Sequence, residues 1–508
     1  MLSVLAHFAL ICAAALTAFA SELRIAVTDE NGKPVWTRLE VRGPGLQMYQ
    51  PKDAVVGHIS VPQQPEDAYY IGSFVARGGA TLDVPPGRYL VVAEHGLEYE
   101  RVEKPVTVTA AEPAAIAIQL HPWIRMRDRG WYSGDMHVHR APEDMPALTL
   151  AEDLNISVDF TMWNKQDLWE DKALRAEPVV KVSPDQFVTL MNAEDERGHG
   201  AWMFHNLKWR LDSLATVPRW YPTGLNFIRV ARAQKSSPED LFPWFDSEKP
   251  IWWGLPVMMA LAPPDSMGVI HNHFNQYSVM SNEAWGRPRD QVKYYGREGF
   301  KDYSLQLYYR YLNLGFHLPP SAGAASGVLP NPVGYNRMYV PVSGPLTVEK
   351  WYAAVKAGKV MVTDGPILFF EATPAGAKVN VAVEAHAREP IDRIEIVANG
   401  EVVHSFKPEG NVKDFEAKAA VDTGNHSWIA ARCSLKHDGA IRFAHSSPVY
   451  LAGKWDASAD ARYFVEWIDD LIAQTNAEPQ RYASDTEKQE NLAIYGQARD
   501  FYVAKMGR

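Results

Sequence analysis

The strongest constraint on the fold is the alternation of apolar and polar residues in short segments near both ends of the chain. The segments LRIAVTD and TRLEVRG flank an Asn-Gly dipeptide at 31–32, and RIEIVANGEVVHSF carries another at 399–400. Alternation with period two is typical of half-buried strands, and Asn-Gly is typical of the turn between two strands. We therefore predict a β-sandwich over residues 21–120 and a second one over residues 366–452.

The region between these two segments has a different character. Eleven of the sixteen tryptophans lie between Trp123 and Trp285, and short apolar runs alternate there with helical segments such as SPEDLFPWF. This alternation favours an α/β domain over residues 121–365. In residues 453–508 the apolar residues recur at helical spacing and Ser484 begins a capping-box pattern, which predicts two helices. The sequence thus predicts a multidomain α/β protein with a short helical tail.

The N-terminal segment predicts export. Residues 3–20 carry no charged side chain and end in the small-x-small sequence Ala-Phe-Ala at 18–20. We interpret residues 1–20 as a signal peptide and expect a periplasmic or secreted protein. An uncleaved membrane anchor is the alternative, because no Lys or Arg precedes the apolar run. No later stretch reaches the ~18 apolar residues that a bilayer span requires, so no stable membrane insertion is expected after cleavage.

Composition excludes several classes of protein. The formal net charge is −10 and the pI is about 5.9, and no basic stripe is present, which argues against a nucleic-acid partner. The two cysteines, Cys12 and Cys433, provide no disulfide framework. A small molecule or a glycan is the expected substrate, and the sequence leaves the oligomeric state open.

A His-x-His motif is the sharpest chemical signal. In the segment GDMHVHR, His137 and His139 are two residues apart, so on a strand both imidazoles project from the same face. Paired imidazoles on one strand suit a metal ion, and Asp135 is placed to fix the tautomer of one ring. Two polar histidines on a solvent-exposed strand are the alternative interpretation.

A second His-x-His pair and an acidic cluster extend the metal hypothesis. The pair His271 and His273 follows an apolar run, and the acidic residues at 194–196 follow another. Imidazoles and carboxylates are the ligands of hydrolytic metal sites, so we expect a divalent metal, with zinc favoured over manganese or iron. The alternative for 194–196 is a solvated turn.

Residues 120–366 resemble the CehA/McbA-type metallohydrolases, a branch of the polymerase-and-histidinol-phosphatase (PHP) superfamily. The resemblance rests on the order of the segments GDMHVHR, AEDLN, TMWN, NAEDERGHG, DSMGVIHNH, SAGAASG, NPVGYNRMYV and GKVMVTDGP. A strand that ends in Gly-Asp-x-His-x-His is the motif of the family. Its members also carry flanking β-sandwiches, so the resemblance extends over most of the chain after residue 20.

The resemblance implies a distorted PHP-like (β/α) barrel with metal ligands at the carboxyl ends of its strands. It implies His137 and His139 as the first pair of ligands, Glu194 as the bridging carboxylate and His273 as the later histidine. His205, ranked slightly above His199, matches the histidine that follows the carboxylate. The sequence departs from the family pattern at TMWN and at GAASG, where Asp-His and Asp-x-His are expected. We therefore predict one or two metals rather than a trinuclear site.

The expected activity is hydrolysis of an ester, carbamate, amide or phosphoester by a metal-activated water. Asp135 and Glu196 are the predicted proton shuttles, and Arg337 is the predicted donor to a developing oxyanion. A structural salt bridge is the alternative for Arg337. Two other functions stay open: a non-catalytic secreted protein that binds carbohydrate with a degenerate metal site, and a metal-dependent enzyme that acts on glycans.

Overall fold

The structure is a computed structural model of the chain. It describes residues 21–57, 72–164, 166–170, 178–211, 214–376, 378–436 and 440–506. The predicted signal peptide, with Cys12, lies outside the described residues. Within them the protein is a mixed α/β molecule, rich in sheet, with seven α-helices and five sheets. None of these helices combines the length and the apolar character that a membrane span requires.

The N-terminal region is entirely β. Its strands are β1 (Ser21–Thr28), β2 (Trp36–Arg42), β3 (Met48–Tyr49), β4 (Val55–Val56), β5 (Ser73–Arg77), β6 (Gly79–Val84), β7 (Gly87–Glu94), β8 (Val102–Val108) and β9 (Ala114–Gln119). They form a three-stranded sheet, β6–β1–β9, and a six-stranded sheet, β4–β5–β2–β7–β8, with β3 paired to β2. The alternate residues Leu23, Ile25 and Val27 of β1 are buried in a core that both sheets share, as period-two alternation predicts.

The central region alternates short strands with helices. Its elements are β10 (Trp131–Val138), α1 (Met145–Ala151), β11 (Ile156–Asp159), β12 (Met162–Trp163), β13 (Gln166–Asp167), β14 (Val179–Ser183), β15 (Gln186–Thr189), β16 (Ala193–Arg197), β17 (Gly200–His205), α2 (Leu225–Arg232), β18 (Trp244–Ser247), α3 (Leu255–Leu261), β19 (Ser266–Ile270), α4 (Gly296–Asn313), β20 (Pro320–Ala322), β21 (Arg337–Pro341), α5 (Val348–Lys356) and β22 (Met361–Thr363). Parallel pairs such as β10–β11 and β18–β19 place several strand ends at one edge.

The C-terminal region returns to strands and ends in two helices. Its elements are β23 (Ile367–Ala375), β24 (Lys378–His386), β25 (Ile391–Ala398), β26 (Glu401–Phe406), β27 (Asp414–Asp422), β28 (Trp428–Leu435), β29 (Phe443–Ser446), β30 (Val449–Tyr450), α6 (Ser458–Ala477) and α7 (Asp485–Val503). Asn399 and Gly400 join β25 to β26 with φ of 47° and 88°. Positive φ at both residues is what a two-residue hairpin needs, so the predicted turn is confirmed.

Two of the sheets run through the central region. One has eleven strands in the order β14–β15–β11–β10–β21–β22–β29–β28–β25–β26, with β30 on β28, and the other has seven in the order β13–β12–β16–β17–β18–β19–β20. A separate three-stranded sheet has the order β23–β24–β27. Met361 of β22 pairs with Ser446 of β29, so the eleven-stranded sheet continues across the predicted boundary at residue 365.

Backbone hydrogen bonds link the seven-stranded sheet to β10. The amide of Ala325 donates to the carbonyl of His137 over 2.7 Å, and the amide of His139 donates to the carbonyl of Ser326 over 2.8 Å. The amide of Gly323 donates to the carbonyl of Ile270, at the end of β19, over 3.2 Å. The segment after β20 therefore fixes the end of β10 beside the end of β19, where the chemically interesting side chains lie.

The two helices predicted for the tail are present and pack on the central region. Ser484 caps α7, and its Oγ accepts a hydrogen bond from the amide of Glu487 at 3.2 Å, as a capping residue does. The Tyr502 hydroxyl donates to the carbonyl of Pro256 over 2.9 Å. The Trp467 indole donates to the carbonyl of Trp253 over 3.2 Å. Buried aromatic side chains thus attach the tail to α3 and its approach.

Candidate metal centre

His137, His139 and Glu194 come together in the interior. The Nε2 atoms of the two histidines are 2.9 Å apart. The Oε2 atom of Glu194 lies 3.3 Å from His137 Nε2 and 3.0 Å from His139 Nε2. One potential ligand atom from each residue lies within 4.8 Å of the other two. The two imidazoles therefore lie side by side, His137 on β10 and His139 directly after its end, and a carboxylate from β16 meets them.

Asp135 fixes the backbone beneath this cluster. Its Oδ1 accepts hydrogen bonds from the amides of His137 at 3.0 Å and Ala324 at 3.1 Å, and its Oδ2 accepts one from the amide of Gly334 at 2.7 Å. Burial raises the pKa of this fully buried carboxyl to about 6. The hydrogen bonds of Asp135 go to backbone amides and not to an imidazole, in contrast to the predicted contact with a histidine ring.

The electrostatics of the cluster follow from burial and mutual attraction. Burial lowers the pKa of His137, but the carboxylate of Glu194 outweighs burial and raises that pKa to about 8. Burial holds the pKa of His139 below its usual value. Burial alone would raise the pKa of Glu194, yet the two imidazoles hold it well below its usual range. Glu194 is therefore ionised at neutral pH and is available as a ligand.

The donor set fits a divalent metal. Two imidazole nitrogens and one carboxylate oxygen are the ligand types of many hydrolytic sites. Glu194 Oε2 and His137 Nδ1 are buried and have no hydrogen-bond partner, although buried polar groups are almost always satisfied. A cation held by Glu194 and the two Nε2 atoms would satisfy the unpartnered carboxylate oxygen. The cluster thus has the composition and the unmet bonding capacity of a metal site.

His205 and His273 are buried nearby but do not join this cluster. In the described residues the grouped ligand atoms come from His137, His139 and Glu194 alone. His205 ends β17 and its Nδ1 lies 2.9 Å from the Tyr352 hydroxyl, which holds the ring by a structural contact. The ring of His273 stacks on Phe300 with centroids 5.7 Å apart. Neither belongs to the group of three, although His205 Nε2 is buried without a hydrogen-bond partner, and burial, followed by the charge of His137, lowers the pKa of His205.

Glu196 lies beside the cluster and between two indoles. It is two residues beyond Glu194 on β16, so both side chains leave the same face of the strand. Its carboxylate accepts hydrogen bonds from Trp163 Nε1 at 3.0 Å and from Trp285 Nε1 at 3.2 Å. Burial, with the charge of Glu194 as a smaller contribution, raises its pKa to about 7. The structure thus brings this predicted proton shuttle to the site.

The Arg337 side chain does not face the cluster of His137, His139 and Glu194. Its guanidinium donates to the backbone carbonyls of Gly334 at 2.5 Å and Glu152 at 3.2 Å. It lines a cavity to which none of His137, His139 and Glu194 contributes. The predicted role at a developing oxyanion therefore has no support from its position.

Sequence reasoning missed a second layer of buried polar groups. Oε1 of Glu248, just after β18, lies 3.4 Å from His137 Nδ1, 2.6 Å from Lys249 Nζ and 2.5 Å from Asn272 Nδ2. All of these side chains are buried. A carboxylate behind a ligating histidine fixes the orientation of its ring. The sequence signal that could have revealed these groups is the charged pair Glu248-Lys249, which lies at a strand end between the apolar runs FPWF and PIWW.

A cavity of about 810 Å³ opens beside His139. The aromatic side chains Phe160, Trp163 and Trp169 form part of its wall, with Arg140 as a charged member. Trp163 stacks obliquely on His139 with ring centroids 4.6 Å apart. Polar and charged side chains, Glu143 and Gln166 among them, complete the wall, and the cavity reaches the cluster through His139.

Replacing Gly323 with alanine is expected to weaken metal binding about 10–100-fold, the range seen when the support of a ligating histidine is disturbed. A Cβ at this position would lie 2.4 Å from the Cβ of His137, so β10 would have to shift. Titration of the dialysed protein with zinc in the presence of a chromophoric chelator measures the change. Gly496→Ala in α7 is the matched control, since a Cβ there meets nothing within 4 Å. Equal affinities for the two variants would contradict the prediction.

Comparison of the chain with protein-family models, with curated proteins and with solved structures finds no match. The chemical character of the site is therefore defined by its own geometry: a buried pair of imidazoles and a carboxylate beside a cavity.

Proposed function

We propose that the protein is a metal-dependent hydrolase that acts on an ester, carbamate, amide or phosphoester. The observation that carries the proposal is the convergence of His137, His139 and Glu194 beside a cavity. No other group of three His, Cys, Asp or Glu ligand atoms is this close in the part of the chain that the structure describes. Zinc is the preferred metal, with manganese or iron as alternatives.

Each residue of the site has a distinct role in the proposed reaction. A divalent ion supplies Lewis acidity, which lowers the pKa of a bound water from about 16 to about 7. His137, His139 and Glu194 would hold the ion, and the carboxylate of Glu248 lies 3.4 Å from Nδ1 of His137, behind that ring. The Glu196 carboxylate, oriented by two indoles, would accept a proton from the attacking water and pass it to the leaving group as the scissile bond breaks. Phe160 and Trp163 form the apolar part of the cavity wall where a substrate would lie.

The family, the finer architecture and the location belong to the same proposal. The order of sequence segments supports membership of the CehA/McbA-type branch of the PHP superfamily, with a distorted (β/α) barrel between two β-sandwiches. The hydrogen bonds that join the segment after β20 to β10 agree with a ring of strands around the site. The small-x-small sequence at 18–20 supports a signal peptide and a periplasmic or secreted enzyme.

A glycan is the second candidate substrate. Trp163 and Trp169 line the cavity beside the cluster, and aromatic faces on a cavity wall suit a sugar ring as well as an apolar ring. Hydrolysis of a glycosidic bond would keep the metal site and change the leaving group. If the protein binds carbohydrate without hydrolysing it, the same cavity would be the binding site.

Metal analysis and a substrate panel test the proposal together. The purified wild-type protein is expected to retain about one equivalent of a divalent metal after dialysis. It should hydrolyse at least one chromogenic ester, carbamate, amide or phosphoester, lose that activity with a chelator and regain it with zinc or manganese. Turnover of glycosides alone would favour the glycan enzyme. Absence of bound metal after incubation with zinc, manganese and iron salts would overturn the proposal.

A further inference from the structure

A cavity of about 490 Å³ lies between the central region and the helical tail. The central region contributes three tryptophans and Arg219 to its wall, and the tail contributes Gln474 of α6 together with Glu478 and Arg481, which follow that helix. It shares no lining residue with the cavity beside His139. The tail thus completes a separate cavity that the proposed hydrolysis does not use.

The three indoles of this cavity are held in place and keep exposed surface. Trp285 is 39% exposed, and Trp220 and Trp253 are half-buried. The Trp220 ring packs directly against Gly198, where a Cβ would lie 2.1 Å from it. Trp285 Nε1 donates to the Glu196 carboxylate over 3.2 Å. Fixed aromatic side chains around a concave site suit the flat apolar face of a ligand.

Two guanidinium groups lie over these indoles. The Arg219 Cζ atom is 4.2 Å from the centroid of the Trp285 ring and 5.2 Å from that of Trp220. The Arg481 Cζ atom is 4.1 Å from the centroid of the Trp220 ring. These are distances of cation–π contacts. Stacking holds the plane of a guanidinium group, and the N–H groups at its edge are left to bind an anion.

The charges that line the cavity do not balance. Glu478 is the only carboxylate among the lining residues, and its Oε1 lies 2.6 Å from Arg481 Nη2. Burial, with Arg481 and Arg197 as smaller contributions, lowers the pKa of His199 to about 3, so this lining histidine is neutral at pH 7. Arg219 is exposed and has no ion pair with a carboxylate among the described residues. The cavity therefore carries one net positive charge, on a group that a ligand can reach.

Charge and shape narrow the ligand. One unpaired guanidinium matches one carboxylate, which it binds through two parallel hydrogen bonds. The three indoles match an apolar ring. The hydroxyl groups of a sugar need several polar partners, but apart from the arginines, His199 and the indole N–H groups, the lining side chains provide only Gln474 and Glu478. A ligand with one aromatic ring and one negative charge fits these groups best.

We propose that this cavity binds an aromatic monocarboxylate, with its ring against the indoles and its carboxylate on the guanidinium of Arg219. The tail takes part in binding through the residues that close the cavity. The site uses none of the metal ligands, so it exists whether or not the protein is a hydrolase.

Isothermal titration calorimetry with hydrocinnamate as the probe tests the site. Hydrocinnamamide is the matched control because it keeps the ring and lacks the charge, and D-glucuronate keeps the charge but replaces the aromatic ring with a sugar. Hydrocinnamate is expected to bind at one site per chain, at least about tenfold more tightly than either control, since hydrogen bonds to charged groups are the stronger class. Failure of hydrocinnamate to bind, or equal or tighter binding of either control, overturns the proposal.

The same titration in His137→Ala separates this site from the metal cluster. A carboxylate probe could also bind a metal ion, and the histidine variant removes one of the proposed metal ligands. Hydrocinnamate is expected to bind His137→Ala with unchanged affinity, and loss of binding there overturns the assignment to this cavity. Metal content, measured in parallel, reports on the hydrolase proposal separately.

Variants of the cavity wall locate the bound carboxylate. Arg219→Gln is expected to raise the Kd for hydrocinnamate about tenfold or more and to leave the affinity for hydrocinnamamide unchanged. Arg229→Gln is the matched control, because Arg229 is an exposed arginine on α2 outside the cavity. Gln474→Glu, which adds a negative charge to the wall with little change of shape, should weaken hydrocinnamate binding as well. Unchanged affinity for hydrocinnamate in Arg219→Gln, or in Gln474→Glu if Arg219→Gln does not fold, overturns the proposal.

Discussion

Replacing His137 with alanine is expected to lower the affinity for a divalent metal by more than about 100-fold and to remove metal-dependent hydrolysis with it. Disturbing a residue behind a ligand already costs 10–100-fold in affinity, and this change deletes a ligand outright. Glu194→Gln should have the same effect, because the amide keeps the shape of the side chain but loses the charge that both imidazoles face. Metal content after dialysis, by mass spectrometry, and chelator competition measure the loss.

His404→Ala is the matched control for the histidine variant. His404 lies on β26, beside Phe406 and far along the sheet order from β10, and its loss should leave metal content and activity unchanged. Circular dichroism of each variant separates loss of the metal from loss of the fold. Full retention of one equivalent of metal by folded His137→Ala would show that the ion, if present, is bound by other residues.

Replacing Arg38 with methionine is expected to lower the free energy of unfolding by about 3–5 kcal/mol, the cost of removing one partner from a buried ion pair. Arg38 and Glu152 are 5% and 3% exposed, and Arg38 also pairs with Glu94. The methionine fills much of the same space but leaves buried carboxylates without their cation. Urea denaturation, followed by tryptophan fluorescence and circular dichroism, measures the change.

The pH dependence of this effect has a defined sign. Burial raises the pKa of Glu94, but Arg38 and Arg388 outweigh burial and hold it at about 2, below the ordinary 4.5. A carboxyl with a lowered pKa stabilises the fold above about pH 4.5 and loses that contribution as the pH falls toward 2. The stability difference between wild type and Arg38→Met should therefore be largest above pH 4.5 and shrink below it.

Arg24→Met is the control for Arg38→Met. Arg24 pairs with Glu22 on β1, where its side chain is 62% exposed, and exposed pairs contribute about 0–1 kcal/mol. If the free energy of unfolding falls only slightly in Arg24→Met and strongly in Arg38→Met, the burial of the Arg38 ion pairs explains the difference. Equal effects would contradict the importance assigned to the buried cluster.

Local sequence signals predicted much of the secondary structure. Period-two alternation gave the strands near both ends because it depends only on which face of a strand is buried, and the Asn-Gly turn at 399–400 has the backbone angles that glycine permits. The two tail helices followed from spacing and from Ser484. The pairing of β22 with β29 was not predictable in this way, because hydrogen bonds between distant strands leave no periodic trace in either segment.

The parts of the candidate site that depend on neighbouring residues in the sequence were predictable, and the parts that depend on the packing of distant elements were not. The spacing of His137 and His139 alone predicted that their side chains lie close together. The acidic residues at 194–196 stood out after an apolar run, and the resemblance to the family singled out Glu194 among them. The choice among His205, His273 and other histidines depended on how β17 and β19 pack, which one sequence does not encode locally. Glu248 and Lys249 resembled an ordinary charged turn, since their burial follows from the strands around them. Arg337 was predicted to donate to a developing oxyanion, but the direction of its side chain depends on the placement of β21.

The continuous eleven-stranded sheet has a practical consequence for dissecting this protein. Cutting the chain after residue 365 would strip β29 from β22 and expose a row of unpaired backbone amides and carbonyls. Such an open edge is a template for association with other chains. A shortened version would therefore tend to aggregate, and the last third of the molecule behaves as part of the scaffold that supports the histidine-bearing strand rather than as a detachable accessory.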